Sequence, residues 1–307
     1  MTRISAALFL LLAAALTAPG AWAAACQPAS FDSQRAYRDL VRQCDFGPRV
    51  PGTKAHEECS QWLLEQLKGC ADEVARQDFT AEVTGKRLLL TNLSATFNPR
   101  GAGHILLCAH WDSRPTADHD PDPTAHTQPI PGANDGASGV AVLLAVARAL
   151  KAQPLPARVT IVLFDGEDYG ATEAQMLLGS RHFAAHFAGP PVAWAVLLDM
   201  VGDRDLRLPP EQISLQRAGQ VVGRLWGAAA REGCVAFVRD SGPAVLDDHV
   251  PLLDQGIPCI DIIDFDYPYW HTTADTPDKC SAASLDQVGR TLLRAIAEYE
   301  ATSPTAR

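Results

Sequence analysis

Val159–Gly170 reads VTIVLFDGEDYG. Five of its first six residues are apolar, three of those are β-branched, and Asp-Gly with two further acids follows at once. Such a run predicts a fully buried, parallel strand that stops at a turn. In open α/β sheets ligand chemistry sits beyond the carboxyl ends of the strands, so Glu167 and Asp168 are delivered to that edge. Adjacent carboxylates repel unless a cation or a proton intervenes. The alternative is that Asp165 or Asp168 caps the next helix, with Glu167 in its first turn.

Working outward, other buried strands end in polar residues. HILLCAH (104–110) ends in His110, with Asp112 two residues on, and VAWAVLLD (192–199) ends in Asp199. GIPCIDII (256–263) carries Asp261 within the strand. Lys86–Phe97 reads as a longer strand and Glu73–Val83 as a half-exposed one, joined at Thr84-Gly85 by a hairpin turn. Helices are expected over Ser33–Cys44, Thr53–Lys68, 140–150, 179–187, Arg217–Glu232 and Ser281–Tyr299, with a short one after His249. The alternation predicts a single-domain α/β/α sandwich around a mixed, mostly parallel sheet.

Between these elements, PGANDGASG (131–139) opens a helix on glycine-rich turn chemistry. No Gly-Lys-Ser/Thr follows, and Asp135 would repel an anion, so a phosphate loop is excluded. A carboxylate there is a cap or a metal ligand. The Pro- and Asp-rich stretch 113–131 is too long for a plain connector; its His119 and His126 read as solvated loop histidines. His182 and His186 have i, i+4 spacing but no acid follows His182, so H-E-x-x-H fails and they read as surface or packing residues. Acids and histidines at strand end after strand end, without cysteine, suit zinc held by three protein ligands with one open position.

The first 25 residues pair basic Arg3 with an apolar run too short to span a bilayer, and end in small residues, as a secretory signal does. The domain is then 26–307, secreted or periplasmic. A lipid anchor at Cys26 is disfavoured because Ala23 stands where a larger aliphatic is expected. The 307-residue chain has 36 acidic against 26 basic residues and a net charge of −10, which argues against nucleic acid as a partner. Eight cysteines in an oxidising compartment make disulfides plausible. Cys44, Cys59 and Cys70 could pair among themselves or with Cys26, while Cys108 and Cys259 read as buried thiols. No C-x-x-C occurs.

HWDS, PGANDGASGV, FDGEDYG, LGSRHFA, LLDMVG, DDHVPLL and YWHT follow one another as in the zinc aminopeptidase superfamily that includes the glutaminyl cyclases. The chain most resembles bacterial members of the animal-type glutaminyl-peptide cyclotransferases, over roughly residues 30 to 300. The resemblance implies one zinc held by Asp135, Asp168 and His271, and Glu167 as general base and acid. It implies Asp199 as a second catalytic carboxylate hydrogen-bonded to Asp247, and Trp270 as a pocket wall, with Tyr269 beside it. His110 and Asp199 match positions that bind a second metal in dinuclear aminopeptidases. Asp168 stands where animal cyclases carry Glu and Asp261 where they carry His, and Ala109 rules out the animal disulfide beside the HxD strand. The implied reaction closes an N-terminal Gln to pyroglutamate with release of ammonia, on peptides or proteins, by a monomer. The rivals are a two-zinc aminopeptidase and a catalytically silent domain on the same fold.

Overall fold

The computed structural model describes residues 28–302, so the segment read as a signal peptide and Cys26 lie outside the described residues. Helix α1 (Ser33–Asp45) starts where the Asp32 carboxylate accepts from the Arg35 amide at 2.9 Å. Helix α2 (Lys54–Lys68) starts where Thr53 Oγ1 accepts from the His56 amide. Both caps satisfy amides that the first helical turn leaves without a partner. Strands β1 (Glu73–Val83) and β2 (Lys86–Phe97) pair antiparallel across a two-residue turn. Thr84 and Gly85 there take φ of 49° and 75°, the left-handed pair that matches strand twist.

The alternating half then begins: β3 (His104–His110), α3 (Ala137–Ala152), β4 (Arg158–Phe164), α4 (Leu178–Ala185) and β5 (Trp194–Asp199). It closes with α5 (Gln212–Glu232), α6 (His249–Asp254), β6 (Cys259–Ile263) and α7 (Ala282–Thr302). The six-stranded sheet has the order β1-β2-β4-β3-β5-β6. β1 and β2 are antiparallel to their neighbours, and β4, β3, β5 and β6 run parallel. All residues of β3, β5 and β6 are buried, as unbroken apolar runs require when helices cover both faces.

α3 is buried almost all round, from Ala137 to Ala147, with α1 and α7 packed on it. It lies against the sheet because Gly139 has no side chain: a Cβ there would stand 2.3 Å from the Leu198 carbonyl oxygen and 3.1 Å from Ala109 Cβ. The opposite side carries α4 and α6, packed against each other. Among the described residues no helix is long and apolar enough to cross a membrane.

Three expectations shift. α5 begins at Gln212 rather than Arg217, because Glu211 caps it by accepting from the Ile213 and Ser214 amides at 2.7 and 2.6 Å. The side chains that ordinarily mark a helix start are Ser, Thr, Asp and Asn. Strands β5 and β6 start two and three residues later than their apolar runs do; at β6 Pro258, just before Cys259, cannot donate to a ladder. Cys44, Cys59 and Cys70 are free thiols rather than paired, as are Cys108 and Cys259. Burial pushes Cys44 up to about 11 and Cys59 up to about 12, which keeps both thiols protonated at neutral pH.

Gly139→Ala tests the close approach of α3. Helix propensity alone would favour alanine by about 1 kcal/mol, but the clash falls on backbone. The expected result is a net destabilisation of roughly 1–3 kcal/mol in chemical denaturation, and an unchanged or raised midpoint would contradict the packing described.

Candidate active site

The parallel strands all finish on the same edge, and their register sets His110 beside Phe164 and Asp199 beside Ile263. Asp112 organises this edge. Its two oxygens accept from the backbone amides of Glu167 (3.1 Å) and Asp168 (3.2 Å), so it shapes the turn after β4. It also lies 3.5 Å from His110 Nδ1. Asp112 therefore orients its neighbours. The helix-cap alternative for the acids after β4 fails, because α4 starts ten residues beyond Asp168 with no side-chain cap.

Asp135 sits one residue before α3's N-cap, Gly136. Asp275 holds this segment by accepting from the amides of Asn134 (2.9 Å) and Asp135 (3.2 Å), and Tyr267 Oη donates to Asp275 at 2.7 Å. His271 arrives from the loop after β6 with φ of 55°. A non-glycine residue there is held against its own preference by its surroundings. Its Nε2 lies 3.4 Å from Asp168 Oδ1 and 3.8 Å from Asp135 Oδ2.

Asp135, Asp168 and His271 thus each offer a ligand atom within 4.8 Å of the others, all buried. The same is true of His110, Asp135 and Asp199, where His110 Nε2 lies 3.1 Å from both carboxylates. One imidazole nitrogen and carboxylate oxygens in a dry setting fit a divalent ion such as zinc. Asp168 Oδ2 is buried with no partner, as a ligand atom would be before it meets its ion.

The electrostatics are dominated by burial of like charges. Burial, then the Asp168 charge, raises Glu167 well above the ordinary glutamate value. Burial and Asp135 raise Asp168. Asp135 goes the other way: burial works to raise it, but the hydrogen bond and charge of His110 bring it below the usual aspartate value. The implied hydrogen bond between Asp199 and Asp247 is replaced. Asp199 Oδ1 accepts from His110 Nε2 and, at 2.8 Å, from the Met200 amide, while Asp247 Oδ2 has no partner. Two carboxylates can hydrogen-bond only through a proton. Burial first and the Asp199 charge second push Asp247 up to about 7. Asp261 lies fully buried beside Asp247 and is raised well above its ordinary value by burial and by that neighbour.

A cavity of about 50 Å³ opens over Glu167, Asp168, Asp199 and His271. Trp270 lines it and stacks on His271 with ring centroids 3.9 Å apart. Tyr269 does not line it; its ring packs edge-on to Tyr267 and under Lys279 instead. Successive residues 269 and 270 point apart, so only one can face the site. Val245, Met176 and Phe265 are among its apolar walls, and no local pattern marks them in the sequence. His182 stacks on Phe79 and on His186, a packing role. His119 is exposed but lies edge-on against both Trp270 and His271, so the loop 113–131 folds over the site. That loop contributes Arg114 and Asp118, which sequence reasoning missed. The signal was present: Arg114 is a lone cation amid acids that need counter-charge.

A cleft lined with carboxylates and imidazoles at the carboxyl edge of a mixed sheet defines the class, that of the zinc-exopeptidase fold. The chain belongs to peptidase family M28, whose profile matches residues 92–296. It is 28% identical over 301 residues to the mouse glutaminyl-peptide cyclotransferase-like protein, spanning 87% of this chain and 76% of the relative. Among solved structures, a Zn-dependent exopeptidase from Parabacteroides distasonis superposes with a TM-score of 0.86 at 36% identity, covering 88% of this chain and 99% of the other. Bacteroides thetaiotaomicron glutaminyl cyclase bound to N-acetylhistamine gives 0.86 at 35%, with the same coverage.

The raised carboxylates fix a pH dependence. Burial before all else pushes Asp247 and Asp275 up to about 7 and Asp264 up to about 6, from the usual 3.8. Between about pH 4 and pH 7 the folded chain therefore holds more protons than the unfolded one, and stability falls as pH rises through that window. Metal-stripped protein should melt at a higher temperature at pH 5.5 than at pH 7.5. A melting temperature that climbs with pH over this range would contradict these assignments.

Proposed function

We propose that this chain is a glutaminyl-peptide cyclotransferase: it converts an N-terminal Gln of peptides or proteins to pyroglutamate and releases ammonia, with one zinc held by Asp135, Asp168 and His271. The observation that carries the reading is the meeting of those three side chains beside Glu167 at the floor of a small, apolar-walled cavity. The names of the mouse and Bacteroides relatives agree with it. A divalent ion in this trio supplies a Lewis acid that polarises the side-chain carbonyl of the substrate.

The remaining work falls to the protein. Trp270, Val245 and Phe265 wall the cavity and exclude water. Glu167 takes a proton from the substrate's α-amino nitrogen, which bonds to the carbon of its own side-chain amide. The carbon–NH₂ bond then breaks as Glu167 returns the proton to the departing nitrogen, so that ammonia leaves and the lactam ring remains. Attack within one residue needs orientation more than an activated water. A carboxyl lifted by burial has the basicity to accept an amine proton and give it back. Asp199, held by His110 and the Met200 amide, presents its charge to the N–H groups of that amine, with Asp247 behind it.

A second reading is favoured by the trio His110, Asp135 and Asp199 and by the exopeptidase name of the Parabacteroides structure. In that reading His110, Asp135 and Asp199 would hold a second metal and Glu167 would take a proton from water for peptide hydrolysis.

The two readings part on assay. Purified protein should release ammonia from Gln-initiated peptides and leave Leu-initiated peptides intact; the reverse pattern would favour hydrolysis. Glu167→Gln should keep its zinc by elemental analysis while kcat drops by roughly 10²–10⁴-fold. Near-normal turnover in that variant would remove Glu167 from the role of base.

A further inference from the structure

We propose that Arg114 and Asp118, in the loop after β3, are positioning residues that build the geometry of Asp168 and His271. The inference rests on the reading of Asp135, Asp168 and His271 as a metal centre, and on nothing about the reaction. Arg114 is only 4% exposed. Its Nε and Nη2 donate to the two oxygens of Asp118, at 2.7 and 2.8 Å, a bidentate pair. Its Nη1 donates to Asp168 Oδ1 at 2.5 Å and to the Gly170 carbonyl at 3.2 Å. One guanidinium therefore ties the loop to the turn after β4. With Oδ1 of Asp168 held in this way, the buried and unpartnered Oδ2 is the oxygen left for an ion.

Asp118 carries the brace on to the imidazole. Its Oδ1 faces His271 Nδ1 at 3.4 Å, while Nε2 of the same ring faces Asp168 and Asp135. Nδ1 makes no hydrogen bond at this distance, but an acid beside it favours the tautomer with the proton on Nδ1, leaving Nε2 as a lone-pair donor toward the metal. Asp118, His119 and His271 also bring ligand atoms within 4.8 Å of one another. Arg114 already occupies both Asp118 oxygens, and that assigns Asp118 to orientation instead.

The backbone is fastened at the same place. The His119 amide donates to the His271 carbonyl at 3.2 Å. Asp120 Oδ2 accepts from the Thr273 amide at 2.9 Å and from Thr273 Oγ1 at 2.6 Å. His271 sits in the left-handed region, so it needs surroundings that over-determine its conformation. The loop supplies them. A lysine would keep the charge of Arg114 but could not fork across Asp118 and reach Asp168 together.

The test uses full-length chain as Arg114→Met, Arg114→Lys, Asp118→Ala and Asp118→Asn. Zinc affinity is read by competition with a chromogenic chelator, beside the melting temperature of each zinc-stripped protein. Asp118→Ala and Arg114→Met should weaken zinc roughly 10–100-fold, while Asp118→Asn and Arg114→Lys lose less. Should the Ala or Met variant not fold, the Asn and Lys variants still carry the comparison. Native-like zinc affinity in the variants, with only the stripped melting temperature lowered, would reduce the brace to a structural role and overturn the inference alone. A native protein that binds no zinc would overturn the metal centre and this inference together.

Discussion

The structure depends on keeping many carboxylates dry at one edge of a sheet. Asp112, Asp135, Glu167, Asp168, Asp199, Asp247, Asp248 and Asp261 are all buried there. Charges that close cannot all remain ionised in a poorly solvated setting unless cations sit among them. Arg114 and the imidazoles of His110 and His271 are wedged between carboxylates at this edge. Burial first, and neighbouring carboxylates second, raise Glu167, Asp247 and Asp261, and a divalent ion bound among these acids would offset part of that repulsion.

The fold makes that concentration of charge feasible by dividing labour. The parallel strands and α3 form a largely apolar interior, from Leu106 and Val162 to Leu143 and Leu292. Most buried acids sit where strands stop, with Asp261 inside β6 as the exception. Each acid is then held by backbone or by a neighbour. Asp112 grips the amides of residues 167 and 168, Asp275 grips those of 134 and 135, and Asp199 takes the amide of Met200. Ligands fixed by their supporting contacts are the general requirement of a working site.

Much of this was legible in the sequence. Buried parallel strands announce themselves as unbroken apolar runs, so β3, β4 and β5 and the acids at their ends could be placed from VTIVLFDGEDYG and its counterparts. The trio at 135, 168 and 271 followed from the ordered motifs, and the three side chains do meet. What stayed hidden was whatever depends on contacts between distant segments. Asp275 reads as an ordinary loop acid until it is seen under residues 134 and 135. Arg114 stands out in its stretch as a lone cation amid acids, but nothing there says that it reaches Asp168 or that Asp118 faces His271. Tyr269 and Trp270 are equivalent in sequence, yet only one of them faces the cavity. The cap at Glu211 was missed because glutamate is an uncommon choice there.

The central claim is that a single ion sits among Asp135, Asp168 and His271. Anomalous diffraction at the zinc edge, from crystals of protein purified in zinc-containing buffer, tests it most directly. The account predicts one strong peak within bonding distance of those three side chains and none of equal strength between His110 and Asp199. Two equal peaks sharing Asp135, or no peak at residues 135, 168 and 271, would contradict it.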